Sequence, residues 1–181
     1  MKPQKYLALL RGINVGGNRI IKMEALRKAA EGCGFLDCQT YIQSGNLIFT
    51  TSEKRESVTE KLQETLRIAF QYDSTLIILP QEEIRSVVEK KPEKFGIDGE
   101  NYKYDVLFLK HGIKAESIFE NIPLNLNVEK AEIRNGVIYF TRNRALETKS
   151  ALDYLQKKSI THAVTIRNWN TTQKLWEMIQ G

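Results

Sequence analysis

Apolar positions along this chain switch between a strand-like and a helix-like period, and the switching follows the same order twice. Residues 6–11 form a near-continuous apolar run closed by Arg-Gly, which predicts a central strand. Met23, Leu26, Ala29 and Ala30 stand at helical spacing ahead of two glycines, predicting a helix over 23–34. Residues 39–43 and 47–51 are β-rich arms around Ser44-Gly45 and predict a hairpin. Val58, Leu62, Leu66, Ala69 and Phe70 mark one face of a second helix, and 75–79 is a short apolar strand closed by Pro80. A polar helix follows over 81–90, with Ile84, Val87 and Val88 facing one way. Residues 91–101, carrying Pro92, Gly96 and Gly99, read as a linker.

The order then repeats. A strand is predicted over 105–110, a short helix over 115–121, a hairpin over 131–141, a helix over 146–158, a strand over 163–167 and a last helix over 170–179. The second hairpin turns on Asn135-Gly136, the dipeptide that a type I′ turn selects because both central residues need positive φ. The hairpins align residue for residue, 40–50 over 131–141, with Asn46 after the first turn in the place of Val137. The order β-α-β-β-α-β is the split ferredoxin-like arrangement. The expected fold is therefore α+β: two ferredoxin-like subdomains over 1–80 and 102–181, joined by a bridging helix and linker over 81–101. In each, the third strand is expected between the first and the fourth. Tyr6, Phe49, Phe108 and Tyr139 are expected in the core.

This topology places the loop after the first strand and the hairpin tip at one end of the sheet. In the first half those segments are 11–18 and 43–46, rich in Gly, Asn and hydrogen-bonding side chains. Gly12, Gly16 and Gly17 permit close backbone approach to a ligand, and a helix follows that could offer N–H groups to an anion. The segment is neither a P-loop nor a dinucleotide fingerprint, since its glycine spacing differs. A crossover loop needing positive φ would also use such glycines; Arg11 and Asn14 tilt the reading toward function. Gln43, Ser44 and Asn46 suit a hairpin tip as well as a site, and Asn46, in the place of Val137, suggests a bulge that re-aims a side chain.

In the second half the polar residues lie at the opposite end, in 141–144 and 167–170. Arg142 and Arg167, with Arg144, could form an anion-holding group, since guanidinium forks suit phosphate and carboxylate; pairing with surface acids is the commoner fate of such side chains. Asn168 and Trp169 accompany them, and Asn170 is the expected N-cap of the last helix. Packing of the halves with these polar edges together would create one composite cleft, the expected ligand site.

Composition adds limits. Hydrophobic residues at 41% and charged residues at 27% are ordinary for a globular protein, and the net charge of +5 comes from Lys and Arg interleaved with Glu. That charge suits an anionic ligand without demanding one, and predicts only weak, non-specific nucleic-acid binding. The chain opens without a leader pattern and carries no membrane-length apolar run, so a cytoplasmic protein without a membrane partner is expected. Cys33 and Cys38 lack a second ligand pair, so neither a metal site nor a disulfide is expected, and no cofactor pattern is present. No Ser or Cys with a His partner and no carboxylate dyad stands out, which leaves open whether the chain is an enzyme. A small anionic, nucleotide- or phosphate-like ligand is the first reading. A group-transfer enzyme acting on such a ligand is the alternative.

Three segments carry a resemblance. Residues 6–18 (YLALLRGINVGGN), 40–46 (TYIQSGN) and 165–171 (TIRNWNT) resemble the signatures of the bacterial domain-of-unknown-function family 1697. The resemblance spans nearly the whole chain. It implies a duplicated α+β fold and names no activity; its signature segments coincide with the polar loops singled out above.

Overall fold

A computed structural model of the chain describes residues 2–14, 20–73, 75–152, 155 and 162–181. It divides into two compact units, residues 1–84 with 175–181 and residues 85–174. Each contains a four-stranded antiparallel sheet backed by helices, the duplicated α+β arrangement that the repeat predicts.

In the first unit the elements are β1 (Gln4–Leu10), α1 (Met23–Gly32), β2 (Leu36–Tyr41), β3 (Asn46–Thr51), α2 (Arg55–Phe70) and β4 (Leu76–Pro80). The sheet order is β2-β3-β1-β4. The expected position of the third strand is thus corrected: β1, not β3, has β4 beside it. The crossover from β1 through α1 sets β2 parallel to β1 with a gap of one strand, and the hairpin returns β3 into that gap. On one face Tyr6, Ala8 and Leu10 pack with Leu47, Phe49, Leu76 and Ile78 against Leu26 and Ala30 of α1 and Val58, Leu62 and Leu66 of α2. Leu7 and Leu9, on the other face, are also fully buried. A strand buried on both sides needs the unbroken apolar run read in the sequence. Each such side chain contributes roughly 1.5–3 kcal/mol by leaving water.

The β2–β3 ladder slips between Leu36 and Gln39, where three steps on β2 meet two on β3, and Asp37 stands at φ 52°. This bulge, not Asn46, is where the hairpin departs from regularity. Asn46 is a fully buried first residue of β3, and the turn before it comprises Ile42, Gln43, Ser44 and Gly45.

Helix α3 (Gln81–Glu89) leads from β4 into the second unit, whose elements are β5 (Tyr102–Leu109), α4 (Ala115–Phe119), β6 (Glu129–Arg134), β7 (Val137–Asn143) and β8 (Val164–Asn168); α5 (Trp169–Gln180) starts in this unit, and its residues from Leu175 on belong to the first. The sheet order β6-β7-β5-β8 repeats that of the first unit. Leu107, Leu109, Ile138, Phe140 and Val164 form a core with α4 and with Leu152 and Leu155. On the opposite face Tyr139 is buried, its hydroxyl donating to Val87 O of α3 at 2.7 Å. Of the helix expected over 146–158, a 3-10 helix occupies Arg144–Lys149 and helical residues follow at 151–152 and 155; the remainder lies outside the described residues. Tyr6, Phe49, Phe108 and Tyr139 all belong to the buried interior, as expected.

Candidate functional site

The loop after β1 and the tip of the β2–β3 hairpin meet at one end of the first sheet. Leu10 N–H donates to Gly45 O at 2.8 Å. Gly45 has φ +76°, and a Cβ there would stand 2.8 Å from Leu10 Cβ and from Ile13 Cδ1, so only glycine lets the turn lie this close.

Asn14 fastens the two segments. Its amide nitrogen donates to Gln43 O at 2.8 Å and to Ile21 O at 3.0 Å, and its Oδ1 accepts from Ile21 N–H at 2.9 Å. Its backbone stands at φ 56°, a region that asparagine tolerates better than most residues. Asn14 therefore positions the loops. Asn46 also works internally, its amide donating to Tyr41 O and to Ser44 Oγ, both at 3.0 Å. Gln43 contributes its carbonyl to this frame. Gly16 and Gly17 lie outside the described residues.

Arg11 sits at the root of the loop and is partly buried. Its N–H donates to the Tyr72 hydroxyl at 2.8 Å and to Thr75 O at 3.0 Å. The Tyr72 hydroxyl in turn directs its proton to Thr75 O at 2.6 Å, with Arg11 O a second acceptor at 3.0 Å. Burial pushes the Arg11 pKa down and the neighbouring Tyr72 opposes that shift. The guanidinium starts so high that it stays cationic at physiological pH. Tyr72 escaped the sequence reading because it follows α2 directly, where a lone tyrosine reads as core; its proximity to Arg11 depends on strand pairing across 61 residues.

In the second unit the polar residues expected to hold an anion do reach one end of the sheet, but not one face. Arg142 stands opposite Lys103 on β5, whereas Arg167 stands opposite Val106. Since successive residues alternate faces, the two guanidinium groups point to opposite sides. Arg142 pairs with Asp105, Nη2 to Oδ2 at 2.6 Å, while its Nε is buried without a partner. Arg167 is buried and donates to Thr165 Oγ1 at 3.0 Å and Ile166 O at 2.9 Å. Arg144 donates to Gly99 O at 2.9 Å. The three arginines thus serve separate local structures.

Asn168, not Asn170, caps α5: its Oδ1 accepts from Thr171 N–H at 2.8 Å. The helix begins one residue earlier than its apolar spacing suggested. Trp169 is buried against Phe95, ring centroids 5.2 Å apart at 80°, in a cluster that includes Tyr104 and Tyr139.

A groove of about 1050 Å³ runs along β6, lined by Phe95, Tyr102, Tyr104, Leu126, Lys130 and Arg134 among others. Of the described candidate ligand-binding residues (Arg11, Asn14, Gln43, Ser44, Asn46, Arg142, Arg167, Asn168 and Trp169), none is among those lining it. Among the described residues no group of His, Cys, Asp and Glu could hold a metal ion, and no helix is long and apolar enough to cross a membrane.

Together these features define a protein made of two split β-α-β units, with a clamped, glycine- and asparagine-rich loop pair at one end of the first. The chain belongs to the DUF1697 family, described as a protein of unknown function, whose model matches residues 3–139. Among solved structures it is similar to the conserved bacterial protein SP0830 from Streptococcus pneumoniae, with a TM-score of 0.86 and 26% identity, covering 98% of this chain and 99% of that one. No curated protein matches the chain.

Proposed function

We propose that this protein binds a small anionic, phosphate-bearing ligand at the end of the first sheet, where Arg11, Asn14 and the 43–46 tip converge. The observation that carries the reading is the Asn14 clamp, three hydrogen bonds of 2.8–3.0 Å that fix the loop pair beside a partly buried arginine. A guanidinium withdrawn from bulk water attracts an anion more strongly than an exposed one, because the local dielectric is lower. Tyr72 and Thr75 hold the Arg11 backbone, which fixes the root from which the side chain extends. Gly16 and Gly17, in the same loop, belong to the reading by their sequence position. The ligand would be a cytoplasmic metabolite, in keeping with two buried free thiols that call for no oxidising compartment.

Thermal-shift measurements against a panel of nucleotides and sugar phosphates test this. A ligand at 100 times its Kd adds about 2.7 kcal/mol, which shifts Tm by several degrees for a chain of this size. The expected result is a shift with at least one phosphate ester that Arg11→Ala abolishes. Null results across the panel at millimolar concentration would sink the proposal.

A further inference from the structure

Strand β6 is an open edge of the second sheet, with no strand on its outer side among the described residues. Its pairing with β7 is regular over all six residues, Glu129 to Arg134. The equivalent edge of the first unit, β2, is broken by the bulge at Asp37. Bulges and prolines are common means of blunting an edge, and β6 has neither. The turn at Asn135 and Gly136 closes on Arg134 and Val137. A two-residue hairpin closes on a hydrogen-bonded pair, so the even-numbered residues of β6 bond β7 and the odd-numbered ones turn outward. The bonds just before the strand keep this alternation: Val128 O accepts from Asn143 N–H at 2.8 Å, whereas Glu129 N–H turns away to Asn125 O at 3.0 Å. Ala131 and Ile133 therefore present their N–H and C=O groups to the open side.

That side is the groove of about 1050 Å³. Residues 128–132 line it consecutively, as the edge of a strand does and one alternating face cannot. Phe119 and Leu124, which pack with Ala131 on the helix side of the sheet, give it an apolar wall, and Leu126, 77% exposed, lines it too. On the opposite face β6 shows Lys130, Glu132 and Arg134, all exposed. A strand added here would meet apolar surface at every second position and the charges plus, minus, plus at the others.

Those charges select the occupant. Two copies of β6 pairing antiparallel, with Ala131 opposite Ile133 in both directions, would set Glu132 against Glu132 and Lys130 against Arg134. Like charges directly opposite are destabilising, whereas opposite charges add stability. The edge thus disfavours its own copy and favours a strand of complementary charge. Glu132 and Arg134 pair with each other at 2.7 Å, but both are about half exposed, and such a pair contributes little that an added strand would forfeit.

We infer that β6 is a docking edge for an extended peptide of another protein, whose strand reads acidic, apolar, basic, apolar, acidic. Backbone bonds to Ala131 and Ile133 hold such a peptide, and its alternate side chains select it. The pattern reads the same in both chain directions, so it serves a parallel or an antiparallel strand. This surface is independent of the anion site.

Fluorescence polarisation with two labelled peptides of one composition tests this: Thr-Glu-Val-Lys-Val-Glu-Thr, and the reordered Thr-Glu-Val-Glu-Val-Lys-Thr. Wild type is expected to bind the first roughly tenfold more tightly, since reordering turns two cross-strand pairs from opposite to like charge. Ala131→Pro removes an outward N–H and leaves the β7 ladder intact; it is expected to abolish binding while the native circular dichroism persists. Glu132→Lys is expected to erase the preference, because each peptide then makes two matched pairs and one mismatched; it decides the matter should Ala131→Pro not fold. Failure of wild type to bind either peptide at millimolar concentration overturns the proposal, as does equal affinity for the two or unimpaired binding by folded Ala131→Pro. A wild-type dimer in sedimentation that Ala131→Pro dissolves would give the edge to a second copy and overturn it as well.

Discussion

Gly96 lies directly against the indole of Trp169: a Cβ built on Gly96 would approach Trp169 Nε1 to 2.4 Å and Cδ1 to 2.6 Å. With φ +82°, Gly96 also occupies a conformation that side chains other than glycine's resist. Gly96 thereby lets the 92–98 turn lie flat on the aromatic cluster, where Phe95 meets Tyr104, Tyr139 and Trp169 edge to face.

Gly96→Ala is expected to destabilise the protein. Overpacking contributes about 1–3 kcal/mol, and the left-handed backbone adds about 1–2 kcal/mol. Urea unfolding followed by tryptophan fluorescence checks this, and the native emission should shift as the indole is displaced. A variant as stable as wild type would mean that the turn lifts away freely.

The Asp105–Arg142 pair gives a second test. Both side chains are largely withdrawn from water, at 10% and 15% exposure, and their oxygen and nitrogen meet at 2.6 Å. Asp105→Leu leaves a guanidinium without its counter-charge, for an expected loss of about 3 kcal/mol; replacing both residues by leucine should recover most of it, since a buried ion pair is seldom better than apolar packing of similar volume. Denaturant midpoints of the two single variants and the double variant decide. A double variant no better than Asp105→Leu would assign the pair a role beyond mutual neutralisation.

Cys38 supplies the pH dependence. Burial, reinforced by Glu31, pushes its thiol from 9.0 up to about 11. The folded protein therefore holds the proton more tightly than the unfolded chain. The resulting stability is complete below the ordinary thiol value and is lost as pH rises from about 9 through about 11. In a Cys33→Ser background, alkylation at pH 8 should run at least about 100-fold slower in the native state than after unfolding, because the thiolate fraction falls with the raised pKa. Equal rates would show that the site opens readily.

Much of this architecture was legible in sequence because it rests on local patterns. The uninterrupted apolar run ending at Leu10 dictated a doubly buried strand, and Asn135-Gly136 dictated a two-residue turn. Tyr139 reads as core, but alternation does not place it: it is buried on the face opposite Ile138 and Phe140, with its hydroxyl on Val87 O. What stayed hidden depends on residues far apart in the chain. Arg142 and Arg167 are both arginines near strand ends, and only the ladder shows that one faces Lys103 and the other Val106. Asn14 and Asn46 looked like ligand contacts because asparagine suits both a site and a strained loop. Their partners, Gln43 O, Ile21 and Tyr41 O, emerge only once the strands are paired. Ile42 carried no signal, since its φ of 46° and not its identity is unusual.

The bulge at Asp37 and the four-residue turn at 42–45 make the first hairpin a different length and twist from the second, which is regular from Glu129 to Arg134 and turns in two residues. A chain built from two similar halves faces a hazard while it folds, because a newly formed hairpin from one half can compete for the sheet of the other. Registers that slip by one residue turn every side chain to the wrong face. A hairpin carrying an extra residue on one arm cannot match both ends of the ladder that its counterpart would occupy. The small irregularities of the first hairpin thus act as a key cut for one lock, and they make the two repeats non-interchangeable parts of one fold.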